Sequence, residues 1–169
     1  MNWTIVKHYD LLLSDALRIA QLKNQHWSYG IESQFSWMDK NIQLDDLHIL
    51  GVSDNGSELI AYTTISKVTV AVDSISAECF GVGGVCVDKA FQHQGLGNLL
   101  IKEASDYIRS YKKQGILLCK SELVPFYENN GWHQISYRNA TVAGSTYEHS
   151  VMLLDKQETC INLVVDRNF

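Results

Sequence analysis

The residues with spacing suited to chemistry lie in one run. Gly81-Val82-Gly83-Gly84-Val85-Cys86-Val87 leads through Asp88-Lys89-Ala90-Phe91 to Gln92-His93-Gln94-Gly95-Leu96-Gly97-Asn98. A buried apolar strand is followed by a short polar loop, a glycine pair and the start of a long amphipathic helix. Such a loop bares several backbone N–H groups around the positive end of a helix dipole. That is an anion site, and phosphate is the usual anion. Gly95-x-Gly97 lacks the third glycine of a dinucleotide fingerprint, and no Gly-Lys-Ser/Thr follows it. Gly81-x-Gly83-Gly84 precedes a strand residue run, so it reads as a bulge or a close backbone approach, not a phosphate cradle. The cysteines, Cys79, Cys86, Cys119 and Cys160, form no C-x-x-C pair. They read as buried, reduced thiols, and the histidines at 8, 26, 48, 93, 133 and 149 show no metal spacing. No metal is expected.

The elements that must position this run fit a chain of 169 residues and one domain, 1–169, with a real core. The net charge of −5 argues against a nucleic-acid partner, and it is compatible with a cationic substrate. No apolar run is long enough to cross a bilayer, and the N-terminus does not read as a signal peptide. The expectation is a cytoplasmic protein with no membrane partner. Residues 3–8 read as a strand, and Ser14 as the cap of a helix to about Gln25 with Leu13, Leu17 and Ala20 on its apolar face. A second helix is expected over Glu32 to Asn41. With Gln25-His26-Trp27-Ser28-Tyr29-Gly30 it makes an aromatic region that either walls a cleft or packs helices on a sheet.

Strands follow at 47–52, at Leu59 to Val72 and at Glu78 to Val87, with turns at Asn55-Gly56 and Asp73-Ser74. The helix after the loop carries Leu96, Leu99, Leu100, Ala104, Tyr107, Ile108 and Tyr111 on one face. Lys112 and Lys113 are placed in its last turn and Gly115 at its stop. Ile116 to Cys119 is a short buried strand, so strand–helix–strand suggests a parallel pair. Ser121 could cap a short helix over about Glu122–Asn130, followed by strands at Trp132 and at Ser150 to Leu154. Ile161 to Val165 could be an extra edge strand or an interface strand. The fold class is α+β with a mixed sheet.

Two blocks in this order resemble a known family. Val85-x-Val87 followed by Gln92-His93-Gln94-Gly95-Leu96-Gly97 resembles the Gln/Arg-x-x-Gly-x-Gly/Ala signature of the GCN5-related N-acetyltransferases (GNAT). Pro125-Phe126-Tyr127-Glu128-Asn129-Asn130-Gly131-Trp132 resembles that family's later Phe-Tyr-x-x-x-Gly-Phe segment. The resemblance spans roughly 1–154 and leaves 155–169 as a C-terminal extension. It implies a three-layer fold, a mostly antiparallel sheet with a parallel, splayed pair at the acetyl-CoA site.

It also implies roles. The amides around Gln92, His93, Gln94, Gly95, Gly97 and Asn98 would hold the pyrophosphate. The backbone of Val85, Cys86 and Val87 would pair with pantetheine and polarise the thioester. Tyr127 would protonate the departing thiolate, its plain alternative being a helix tyrosine packed beside Phe126. Trp27, Glu32 and Trp37 would meet the substrate, a small-molecule primary amine attacking directly. Relatives that carry a strand glutamate place it where Gly81 and Gly83 stand here, so the base is unassigned, with Glu78, Glu32, Asp39 or a water chain as candidates. The segment from Leu117 to Trp132 resembles the aminoglycoside 2′-N-acetyltransferase branch. Two other readings stand beside the small-molecule enzyme: a protein or peptide N-acetyltransferase, and a non-catalytic acyl-CoA sensor. A homodimer through the apolar 161–165 segment is the one partner guess.

Overall fold

The structure is a computed structural model that describes residues 1–169. Its contacts group into two compact units. The first comprises 1–66, 83–104 and Phe169, and the second 67–82 and 105–168.

In the first unit, β1 (Asn2–Lys7) pairs antiparallel with β2 (Leu47–Val52), and β2 with the first half of β3 (Leu59–Val72). Gly51 in β2 has no side chain because the Trp3 indole lies over it: a Cβ would fall 2.6 Å from that ring. Helices α1 (Leu13–His26) and α2 (Ile31–Asn41) cover this sheet. Ile19, Leu22 and Met38 from the helices, with Ile42 just after α2, meet Leu50, Leu59, Tyr62 and Cys86 in one buried cluster.

α1 departs from the sequence expectation in two ways. Ser14 lies inside the helix, which starts after Leu12 with no side-chain cap. Leu13 and Leu17 are exposed, because the buried stripe is Ile19, Ala20, Leu22 and Lys23. The second half of β4 (Ile75–Val87) and the start of α3 (Leu96–Ser110) complete the unit.

In the second unit the strand order is β6-β9-β5-β4-β3-β10-β7-β8. The strands not yet placed are β5 (Gln114–Cys119), β6 (Trp132–Gln134), β7 (Ser136–Val142), β8 (Ser145–Thr146), β9 (Ser150–Leu154) and β10 (Thr159–Val165). Asp73 and Ser74 both take positive φ in the β3–β4 turn, as a tight hairpin requires. The expected parallel pair is β4 with β5, Cys79↔Gln114 through Val82↔Leu117.

A second parallel pair joins β10 to β7. β10 is therefore not an edge: β3 takes its other side, Leu163↔Val72 through Val165↔Val70. Over Leu163–Val165 both sides of its backbone are paired, and Thr159, Ile161, Asn162 and Val164 are its exposed residues.

The stop of α3 is also corrected. The helix ends at Ser110, and Lys112, not Gly115, takes the left-handed conformation after it. Gly115 lies within β5, where a Cβ would meet Leu154, Trp132 and Ile108 at 3.0–3.3 Å. Leu99 and Tyr111, expected on the buried face of α3, are exposed. A 3₁₀ turn, Ser121–Leu123, precedes α4 (Val124–Glu128), and Ser121 makes no cap bond. Gly131, at φ 81°, ends that segment as expected.

Candidate functional site

The end of β4 is where the strand changes character. Thr63 and Thr64, neighbours on β3, both donate hydroxyls to the Gly83 carbonyl, at 2.8 and 3.0 Å. Gly84 has φ 62°, inside a strand. Together these mark a bulge, one residue after the β4–β5 ladder makes its last pair at Val82↔Leu117. Val85 is half-buried, while Cys86 and Val87 are buried. Burial pushes the Cys86 thiol up to about 12, so it stays protonated and is a poor nucleophile.

The loop beyond is tied to the end of α1. Gln25 donates to Asp88 at 2.7 Å and accepts from the Lys89 amide at 3.0 Å. Asp88 also accepts from Ala90 N at 2.8 Å, closing a 3₁₀ turn. His26 Nε2 lies 2.9 Å from the Val87 carbonyl; a carbonyl only accepts, so this nitrogen carries the hydrogen. Gln25 and His26 are positioning residues that sequence reasoning missed. Their signal was weak, two polar residues in the last turn of a helix.

Gln92, His93, Gln94, Gly95 and Asn98 are exposed and Gly97 is half-buried. His93 (φ 62°) and Gly95 (φ 79°) take left-handed conformations, and nothing lies within 4 Å of where a Gly95 Cβ would stand. Leu99 N bonds Gly95 O at 3.2 Å, so Gly95 caps the N-terminus of α3, which starts at Leu96. The structure therefore brings together the loop, the helix N-terminus and an open approach.

A cavity of about 620 Å³ opens beside α1 and α2, lined by Lys23, Trp27, Tyr29, Ser33, Gln34, Trp37, Gly84 and Phe169. Its helical wall is braced: Gln34 Nε2 donates to Trp27 O at 2.7 Å, and Asn24 accepts from Gly30 N at 2.9 Å. Trp27 and Trp37 both line this cavity. Glu32 does not line it: it is exposed and lines an adjoining hollow that shares Ser33 and Trp37 and adds Ser36, Lys40 and Asn41. Asp39 is exposed too. No acidic side chain lines the cavity.

Phe169 is the largest departure from the sequence reading. A Cβ on Gly83 would fall 2.4 Å from its carbonyl carbon, so main chain from the C-terminal extension fills the space of a residue-83 side chain. No periodicity or motif in 155–169 signals this.

Tyr127 lies in the second unit, on α4. It is 5 % exposed, edge-on to Phe126 with ring centroids 5.0 Å apart. Burial pushes its phenol well above the ordinary range. Glu78, on β4 in the same unit, is exposed and ion-paired to Lys113 at 2.8 Å. That lysine holds its carboxyl below the ordinary range, the wrong direction for a base near neutral pH.

Several solved structures share this fold. Escherichia coli ElaA superposes with a TM-score of 0.66 at 23 % identity, over 90 % of this chain and 98 % of its own. The GNAT family N-acetyltransferase YhbS of E. coli, solved in complex with CoA, gives 0.64 at 16 %, over 97 % and 89 %. A GNAT family acetyltransferase of Brucella melitensis, solved with acetyl-CoA, gives 0.54 at 21 %, over 78 % and 83 %. No curated protein matches the chain in sequence. The model of the acetyltransferase (GNAT) domain matches residues 43–152, well over half the chain and drawn from both units. On that match the chain belongs to the GNAT acetyltransferase family.

Proposed function

We propose that the protein transfers the acetyl group of acetyl-CoA to the primary amine of a small molecule by direct attack. One acetyltransferase domain, 1–169, would carry it. The observation that carries this reading is the bulged end of β4 leading through an exposed loop to the N-terminus of α3.

Acetyl-CoA supplies the thioester. The amides of His93, Gln94, Gly95, Gly97 and Asn98 would hold its pyrophosphate, with Gln92 at the loop entrance. The exposure of the loop and the open space at Gly95 support this. The backbone of Val85, Cys86 and Val87 would pair with pantetheine and donate to the thioester oxygen. Its support is the end of the β4–β5 ladder at Val82. The amine lone pair attacks the carbonyl carbon, the C–N bond forms and the C–S bond breaks. Tyr127 gives its proton to the thiolate; a phenol kept protonated by burial suits that. The proton of the amine leaves to water, since no acidic side chain lines the cavity. The high Cys86 pKa favours direct attack over an acyl-cysteine.

The α1–α2 cavity favours a small acceptor walled by Trp27 and Trp37. No observation favours the aminoglycoside branch, and a polycation would meet Lys23. No helix is long and apolar enough to cross a membrane, and four buried free cysteines fit a cytoplasmic setting. A homodimer would have to use side chains such as Ile161 and Val164.

Thermal unfolding with acetyl-CoA tests the binding half. Ligand at a hundred times its Kd should add about 2.7 kcal/mol of stability. Gly97→Glu, which puts a carboxylate against the pyrophosphate, should abolish the shift. A wild-type protein whose melting temperature does not move would overturn the reading.

A further inference from the structure

Lys23 is a lysine where α1 should carry an apolar residue. It lies on the stripe with Ile19, Ala20 and Leu22, and is 5 % exposed. Its ammonium stands 4.2 Å from the centre of the Trp37 ring. No ion pair holds it, and the cavity it lines has no acidic side chain. The charged and titratable groups bearing on it are few. Desolvation lowers its pKa to about 8, Cys86 opposes that in part, and the buried His48 lies within electrostatic reach of it. At neutral pH the group is still mainly an ammonium, buried and in no ion pair. A buried cation in that state is costly unless something pairs with it.

The cavity supplies the place for the partner. Its other walls are Trp27, Tyr29 and Trp37, with Ser33 and Gln34 as neutral polar groups. We propose that the acceptor amine carries a carboxylate that ion-pairs with Lys23, on an apolar or aromatic body held between Trp27 and Trp37. A single cation matches a single negative charge. A phosphate dianion would be left half-compensated, because no second basic side chain lines the cavity. The acceptor class is therefore amino-acid-like: a primary amine, a carboxylate and an apolar side chain. This rests on the acetyltransferase reading of the same site. It also runs against a polycationic acceptor, which Lys23 would repel.

The test uses matched pairs, each amino acid beside its decarboxylated amine: tryptophan and tryptamine, phenylalanine and phenethylamine, leucine and isoamylamine. Thiol release from acetyl-CoA gives kcat and KM, and calorimetric titration of the same compounds gives binding without turnover. The wild type should favour the carboxylate member by about ten- to a hundredfold, mostly through KM, the range of a charge-assisted pair. Lys23→Met, which keeps the apolar stem, should erase that preference. Lys23→Arg, which keeps the charge, should retain part of it and guards against a loss of fold being misread. Equal handling of both pair members by the wild type, or a preference that survives in Lys23→Met, overturns the proposal. If acetyl-CoA neither raises the melting temperature nor releases thiol, the acetyltransferase reading fails by itself. The calorimetric preference and its response to Lys23→Met then still decide for or against the carboxylate.

Discussion

The main chain of Phe169 lies where a side chain on Gly83 would stand, 2.4 Å from the Cβ position. The C-terminal extension thus reaches the bulge of β4 and becomes part of the cavity wall. It also gives residue 83 a steric reason to be glycine. Gly83→Ala should destabilise the protein by about 1–3 kcal/mol, the range for overpacking. In a chain shortened to end at Asn168 the same substitution should cost much less. A double-mutant cycle in chemical denaturation measures the coupling.

Lys23→Met should stabilise the ligand-free protein. With the lysine pKa lowered from 10.5 to about 8, keeping it charged at pH 7 costs about 3 kcal/mol, less what the Trp37 ring returns. The unfolded chain binds more protons than the folded one between those two values, so the penalty is full below pH 8 and fades as pH rises toward 10.5. The gain in the Met variant should therefore be larger at pH 7 than at pH 9, by about 1 kcal/mol. Denaturant midpoints at the two pH values check this. A lysine whose role is only structural would give a loss instead.

His48 predicts the opposite end of the pH range. It is fully buried, with Nδ1 2.9 Å from the Tyr62 hydroxyl and Nε2 2.9 Å from His8 Nδ1. Desolvation, then the neighbouring His8, lowers its pKa to about 4. The unfolded chain binds the extra proton between about pH 6.5 and 4, so stability falls as pH falls through that window. Between pH 7 and pH 5 the loss from this group should be about 2 kcal/mol. His48→Gln should flatten that part of the pH–stability curve, whatever it does to the absolute stability.

In the second unit the Trp132 indole N–H donates to Ser105 Oγ at 3.1 Å, both groups buried. Ser105→Ala leaves that donor unsatisfied and should cost about 1–3 kcal/mol by denaturant unfolding, with the acetyl-CoA shift retained.

Much of this fold was legible because period and turn chemistry agreed. Leu59 to Val72 is rich in β-branched residues, Asp73-Ser74 turns it, and the observed β3 has those bounds. The loop and α3 were legible for the same reason, a glycine pair before a strong amphipathic period. Other features depended on tertiary contacts that local pattern does not encode. Residues 136–146 show no strand period, yet they form the β7–β8 hairpin, whose mixed polar residues fit a strand because β10 lies beside it. Gly115 reads as a helix stop, yet it is glycine because Trp132 and Leu154 crowd it. Lys23 broke the apolar stripe of α1, so the periodicity settled on Leu13 and Leu17, which the structure leaves in solvent. A charged residue on a buried face looks like noise until the cavity beside it is seen.

The central claim is acetyl transfer with Tyr127 as the proton donor. Thiol release from acetyl-CoA, with the acetylated amine identified by mass spectrometry, tests it in the wild type and in Tyr127→Phe. The account predicts amine-dependent release in the wild type and a fall in kcat of about 10²- to 10⁴-fold in the variant, with acetyl-CoA binding unchanged. Acetyl-CoA that binds but never releases thiol with any amine, or a Tyr127→Phe variant with full kcat, would contradict it.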